Sequence, residues 1–168
     1  MPVVNPDHLL EQADRLITPL GGAPRQADLR RAISSAYYAV FHALLTEAAD
    51  HFVGRTQRLT SSYGLVYRSV EHRALARLCE IVVKPKMPEK YSKYEPAGGF
   101  GADLRDLATA VLDLQEKRYL ADYDPLFRVG TSDAVLAVAT ARTALGLFRD
   151  ANRTKKKTFL SLLVFSPR

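Results

Sequence analysis

The chain has 168 residues, 47% apolar and 25% charged, which marks a single folded domain and excludes the low-hydrophobicity, high-charge regime of disorder. Its one cysteine, Cys79, excludes an intrachain disulfide framework and fits a reducing compartment. The net charge of +6 is concentrated at the end, where Arg153, Lys155, Lys156, Lys157 and Arg168 stand with no acid among them, so the body carries only +1.

Basicity is therefore a tail property, and the tail reads as a solvated end rather than a dedicated polyanion-binding arm. The opening MPVVNPDHLLEQ lacks a basic start followed by an apolar run, so no signal peptide is expected. The apolar run from Phe159 to Phe165 is too short to span a bilayer. A cytoplasmic protein with no membrane association is the expectation.

Five helical patterns and no strand ladder follow in chain order. The first spans about 6–18, with Asn5 as cap, Pro6 at the first helical position, and Pro19 and Gly21-Gly22 as terminators. The second spans about 26–52, with Leu29, Ile33, Ala36, Val40 and Leu44 in one row and Tyr37, Phe41, Leu45 and Ala48 beside it; Gly54 closes it. The third starts after Thr60-Ser61-Ser62 and runs to about 83, where Pro85 and Pro88 stop it. Residues 84–101, with three prolines and three glycines, read as a long loop. The fourth helix spans about 102–121 and ends at DYDP; the fifth spans about 132–152, opened by Gly130-Thr131-Ser132-Asp133. The row Ala134, Val138, Ala141, Leu145 and Phe148 is rich in small residues and permits close helix approach.

These patterns predict an all-α protein, an antiparallel up-and-down bundle of four to five helices over 1–152 followed by a basic and apolar tail over 153–168. Within the tail, TFLSLLVF fits a strand, a helical turn or a docking segment equally well.

Three helices break their apolar rows with polar side chains. Leu65, Arg68, His72, Leu75, Cys79 and Val82 step by three and four in the third. Arg118 continues the row Leu104, Leu107, Val111 and Leu114 in the fourth. Arg31, Ser35, Tyr38 and His42 form a polar stripe in the second. A buried guanidinium left unpaired costs about 3–5 kcal/mol, so each arginine needs an acid or hydroxyl, with Asp122 and Asp124 nearest. The stripes thus predict a polar cluster of Arg31, Ser35, Tyr38, His42, Asp122 and Asp124 around Arg68, His72 and Arg118. Either it is an internal ion network, or a catalytic site in which His72 moves a proton beside an arginine that stabilises charge on phosphate.

The segments RRAISSAYYAVFHALL (30–45), YRSVEHRALARLC (67–79) and LQEKRYLADYDP (114–125) resemble the prokaryotic HEPN superfamily, the higher-eukaryote and prokaryote nucleotide-binding domain. The resemblance implies an all-helical bundle that commonly dimerises, hence a homodimer. It also implies either a metal-independent ribonuclease or a non-catalytic member of toxin–antitoxin, defence or RNA-processing systems, with a nucleotidyltransferase-like protein as possible partner. The family's nuclease signature is an arginine, four to six intervening residues and a histidine. None of the four histidines satisfies it, since Arg68 and His72 are separated by three residues and the positions after Arg118 hold Tyr123, Asp124 and Pro125. The expected function is a non-catalytic or weakly catalytic accessory protein of a prokaryotic stress or defence system that binds nucleic acid or a partner protein. The alternatives are an endoribonuclease using Arg68, His72 and Arg118, and a purely structural dimeric bundle.

Two further features bear on ligands. No paired-cysteine or His-x-x-x-His spacing appears, and Glu47 with His51 supplies too few ligands, so no metal or cofactor is expected. The loop interleaves Lys84, Lys86, Lys90 and Lys93 with Tyr91 and Tyr94, a composition that grips phosphates and stacks on single-stranded bases, making it a candidate RNA contact.

Overall fold

The computed structural model describes residues 4–167; the first three residues of the opening MPVVNPDHLLEQ and Arg168 of the basic tail lie outside them. The described residues form eight α-helices and no strand: α1 (Pro6–Ile17), α2 (Gln26–Phe52), α3 (Ser61–Arg68), α4 (His72–Val82), α5 (Glu89–Ser92), α6 (Gly101–Tyr123), α7 (Thr131–Asp150) and α8 (Arg153–Val164). None is long and apolar enough to cross a membrane.

Helix ends follow local chemistry. The Asn5 side chain accepts from the Asp7 amide at 3.0 Å, and Pro6, which has no amide hydrogen to strand, takes the first turn of α1. At α2 the Arg25 amide donates to Asp28 at 3.1 Å, and at α7 the Gly130 amide donates to Asp133 at 2.8 Å, so an acid in each first turn meets free amides and the positive helix end. Gly54, at φ 109°, turns the chain out of α2 through a conformation that side chains with a Cβ resist.

The long α2 is the central element, packed by α1, α3, α6, α7 and α8. Leu29, Ile33, Ala36, Tyr37, Val40, Leu44 and Ala48 are all buried along it. On α7, Ala134, Ala137, Ala141 and Ala144 are fully covered, and their small side chains let α1, α2 and α6 pack closely against that helix.

The expected third helix is two. Val66, Ser69 and Glu71 explain the break: the Ser69 hydroxyl and amide both turn back to the Val66 carbonyl at 2.7 and 3.1 Å, and Glu71 is extended at φ −93°, ψ 154°. Val70 is buried between the pieces. Burying one valine, at about 1.5–3 kcal/mol, favours a bend that an uninterrupted helix would not permit. The phase of the apolar row is thereby lost: Leu75, Cys79 and Val82 are buried, whereas Leu65 is 72% exposed.

The loop expected over 84–101 holds the one-turn α5, and Met87 and Phe100 anchor its two ends in the core. The segment after residue 152 is ordered as a helix rather than a solvated end. Asn152 accepts from the Thr154 and Lys155 amides, while Phe159, Leu160, Leu162 and Leu163 are buried against the bundle, with α2 and α4 as neighbours. A twelve-residue helix is marginal alone. Those four side chains, each worth about 1.5–3 kcal/mol on burial, hold it in place.

Candidate functional site

Arg30, Ser34, Tyr38 and His42 step by four along α2, so they share one face, with Tyr37 and Phe41 beside them. That face meets His72, the first residue of α4, and Arg118 and Asp122 near the end of α6. Arg118 Nη2 donates to the Tyr38 hydroxyl at 2.8 Å, and Arg118 Nε lies 2.9 Å from Asp122 Oδ2, although its N–H is not aligned on that oxygen. The other Asp122 oxygen accepts from the Ser34 hydroxyl. The guanidinium carbon also lies 5.3–5.7 Å from the ring centres of Tyr37, Tyr38 and Tyr123.

Burial penalises the Arg118 charge, but the Tyr38 hydroxyl and Asp122 outweigh that penalty and hold its pKa above the ordinary arginine value. Its side chain is 11% exposed, so Arg118 is a permanent cation enclosed with its own counter-ion.

His72 packs its ring 4.1 Å from that of Phe41, and its Nδ1 lies 2.8 Å from the Tyr37 hydroxyl. Burial, then the Arg118 charge and His42, push its pKa below the ordinary histidine value, so it is neutral at neutral pH. Tyr37 is nearly inaccessible, and burial pushes its pKa up, so it keeps its proton. We assign that proton to the bond with Nδ1, which places the His72 proton on Nε2. In this tautomer His72 presents a donor, not a base. The same logic applies to His42, whose pKa burial lowers and whose Nδ1 lies 2.7 Å from the Tyr67 hydroxyl of α3.

Of the residues expected to converge, Tyr38, His42, His72, Arg118 and Asp122 do so. Arg68 does not, because it ends α3, is exposed, and turns its Nε back to the Gly64 carbonyl at 3.1 Å. Arg31 is exposed on the rim of a shallow cleft lined by Arg30 and Asp122. Ser35 is buried toward α1, 3.5 Å from Gln12 Oε1. Asp124 spends its carboxylate on the Leu126 amide at 2.8 Å, ordering the DYDP turn rather than neutralising an arginine.

Sequence reasoning missed Arg30, Ser34, Tyr37 and Tyr67. The uniform four-residue step from Arg30 to His42 was the available signal; the stripe beginning at Arg31 and Ser35 starts one residue, about 100° of helix, too far round.

The loop residues are split. Lys84, Lys86, Lys90 and Lys93 are exposed, and Tyr94 is 41% exposed, but Tyr91 packs partly against the core. Among the described residues no three His, Cys, Asp or Glu side chains gather into a group able to hold a metal ion.

Comparison with models of known protein families, with curated proteins and with solved structures finds no match for this chain.

Proposed function

We propose that this chain is a non-catalytic, HEPN-type accessory protein of a prokaryotic stress or defence system, binding a nucleic acid or a partner protein, with its polar cluster serving as an internal network that registers α2, α4 and α6. The observation that carries the non-catalytic reading is the pairing of Arg118 with Asp122 and Tyr38. A guanidinium whose charge is already balanced has little left to stabilise charge developing on a phosphate. The tautomer assigned to His72 supports the same reading, because a ring whose Nε2 already carries a proton does not remove one from a ribose hydroxyl. The family part of the proposal rests on the residue patterns at 30–45, 67–79 and 114–125, and dimerisation comes with it.

Incubating the purified protein with labelled RNA in the presence of a chelator tests this. The expected result is intact RNA for wild type, His72→Ala and Arg118→Ala alike. Cleavage by wild type that both substitutions abolish overturns the proposal in favour of a metal-independent endoribonuclease. That second reading is favoured by one observation, the arrival of a histidine from α4 and an arginine from α6 at the same tyrosine pair. In such an enzyme Arg118, not Arg68, would accompany His72.

A further inference from the structure

The unbalanced charge of the molecule is gathered on α8, away from the tyrosine cluster. Burial of Phe159, Leu160, Leu162 and Leu163 pins that helix about its axis, leaving Arg153 and Lys157, four residues apart, exposed on its outer side with Thr154. Among the described residues no acid comes within ion-pair distance of Arg153, Lys155, Lys156 or Lys157. Lys155 and Lys156 are tethered to the Gly98 and Arg149 carbonyls at 3.4 and 3.0 Å. Among the described residues the Arg153 guanidinium and the Lys157 ammonium form no hydrogen bond or ion pair, although the Lys157 carbonyl accepts from the Ser161 hydroxyl at 2.9 Å.

These cations sit in concave surroundings. One cleft joins Arg153, Lys156 and Lys157 to Arg55 and His51 at the end of α2 and beyond. A second shares Arg55 and Lys156 with the first and adds Arg149. A third shares Lys157 with the first and adds Thr154, Thr158 and Tyr94. Glu47 faces the first two clefts and Asp7 the second, while Asp50, also in the first, is held by Arg58 at 2.6 and 2.9 Å and lies 3.6 Å from Arg55, so Arg55 enters the clefts already paired.

We propose that this chain of clefts along α8, ending at Tyr94, is a binding track for single-stranded nucleic acid. The proposal deepens the function proposed above, choosing nucleic acid over a protein partner, and rests on that reading in this respect alone. Three concavities linked in series, the first to the second through Lys156 and the first to the third through Lys157, suit an extended polyanion better than a compact anion. The free cations meet successive phosphates, and the exposed Tyr94 ring supplies a stacking face with Lys93 5.0 Å from its centre. The loop and the tail, far apart in sequence, become one surface because Lys155 bonds the loop at Gly98.

Equilibrium binding of the full-length protein to a labelled oligouridylate of about 12 nucleotides, and to a duplex of equal length, tests the track. Single-strand affinity should fall with salt, and R153A/K157A should reduce the log–log salt slope by about 1.4, or about 0.7 for each phosphate no longer neutralised. Tyr94→Ala should weaken the single-strand complex by about 5- to 150-fold. Arg15→Ala, which removes a charge at an exposed position of α1, should leave it unchanged. Both α8 positions are exposed, and unchanged circular dichroism and melting will show that the variants fold. Affinity indifferent to R153A/K157A, or lost only in K84A/K86A, overturns the track while leaving a nucleic-acid partner in place. Equal affinity for duplex with no effect of Tyr94→Ala overturns its single-strand character. No oligonucleotide binding at low salt, or binding only to vesicles containing phosphatidylserine, overturns it altogether and leaves the accessory reading with a protein partner. RNA cleavage would overturn that reading and not the track.

Discussion

The Arg30 guanidinium closes the C-terminal end of α6: its Nε donates to the Ala121 carbonyl at 2.7 Å, and its terminal nitrogens reach the carbonyls of Leu120, Asp124 and Phe127. Helix-end carbonyls carry partial negative charge, so one cation from α2 serves several acceptors at once, adding to the Asp124 and Phe127 amides that already bond the Leu120 and Asp124 carbonyls. Arg30→Ala should therefore cost about 2–3 kcal/mol, in the range of charged hydrogen bonds. Arg31→Ala, one residue on and exposed, should change stability by less than about 0.5 kcal/mol. Urea denaturation of the two variants measures the difference, and equal effects would contradict the cap.

Arg118 and Asp122 should be energetically coupled. Asp122→Asn keeps a partner for Ser34 but removes the negative charge from a guanidinium that is 11% exposed. Each single substitution, Asp122→Asn or Arg118→Met, is expected to cost about 1–3 kcal/mol, and the double variant less than their sum by about 1–2 kcal/mol. A double-mutant cycle by chemical denaturation reads this directly. Additive losses would mean that the two groups are solvated independently.

The histidines set a pH dependence of defined sign. Burial holds the folded-state pKa values of His42 and His72 below 6.5, the ordinary value that they regain on unfolding. The unfolded chain therefore binds more protons below that pH. Stability contributed by the neutral rings is complete above 6.5 and declines as pH falls through 6.5 toward the depressed values, by up to about 1.4 kcal/mol per pH unit for each histidine. The urea midpoint of wild type should fall from pH 7 to 5, and that of H42Q/H72Q should fall less over the same range, whatever its absolute stability. The lowered pKa of Asp50, where burial is outweighed by Arg58, Tyr63 and Arg55, acts only at more acidic pH.

Phe159 is the anchor of α8. It is fully buried, with Phe100 and Phe148 at ring-centre distances of 6.4 and 6.5 Å. Phe159→Ala should cost about 3–5 kcal/mol through lost burial and the cavity left behind. Leu136→Ala, at a leucine 57% exposed on α7, should change stability by less than about 0.5 kcal/mol. Thermal melts of both variants supply the comparison, and equal melting temperatures would show α8 to be loosely held.

Caps and breakers act on their own turn of chain, which is why Asn5 with Pro6, Gly54, and Gly130 with Asp133 disclose the limits of α1, α2 and α7 without any knowledge of their neighbours. The arginine interrupting the leucine row of α6 was legible for the same reason: periodicity assigns a residue to a face, and a cation on that face demands a counter-ion within reach, which Asp122 supplies. Periodicity does not state how far a face is rotated toward its neighbour, and one residue of phase separates Arg30 and Ser34, which bond α6, from Arg31, exposed on a cleft rim, and Ser35, turned toward α1. Nor does it show where burying Val70 favours bending the chain, the step that sends Arg68 to solvent and His72 to the tyrosines. The ordering of α8 was equally hidden, because its apolar side chains gain their free energy only against surfaces supplied by distant segments, and those surfaces assemble only once the chain has folded.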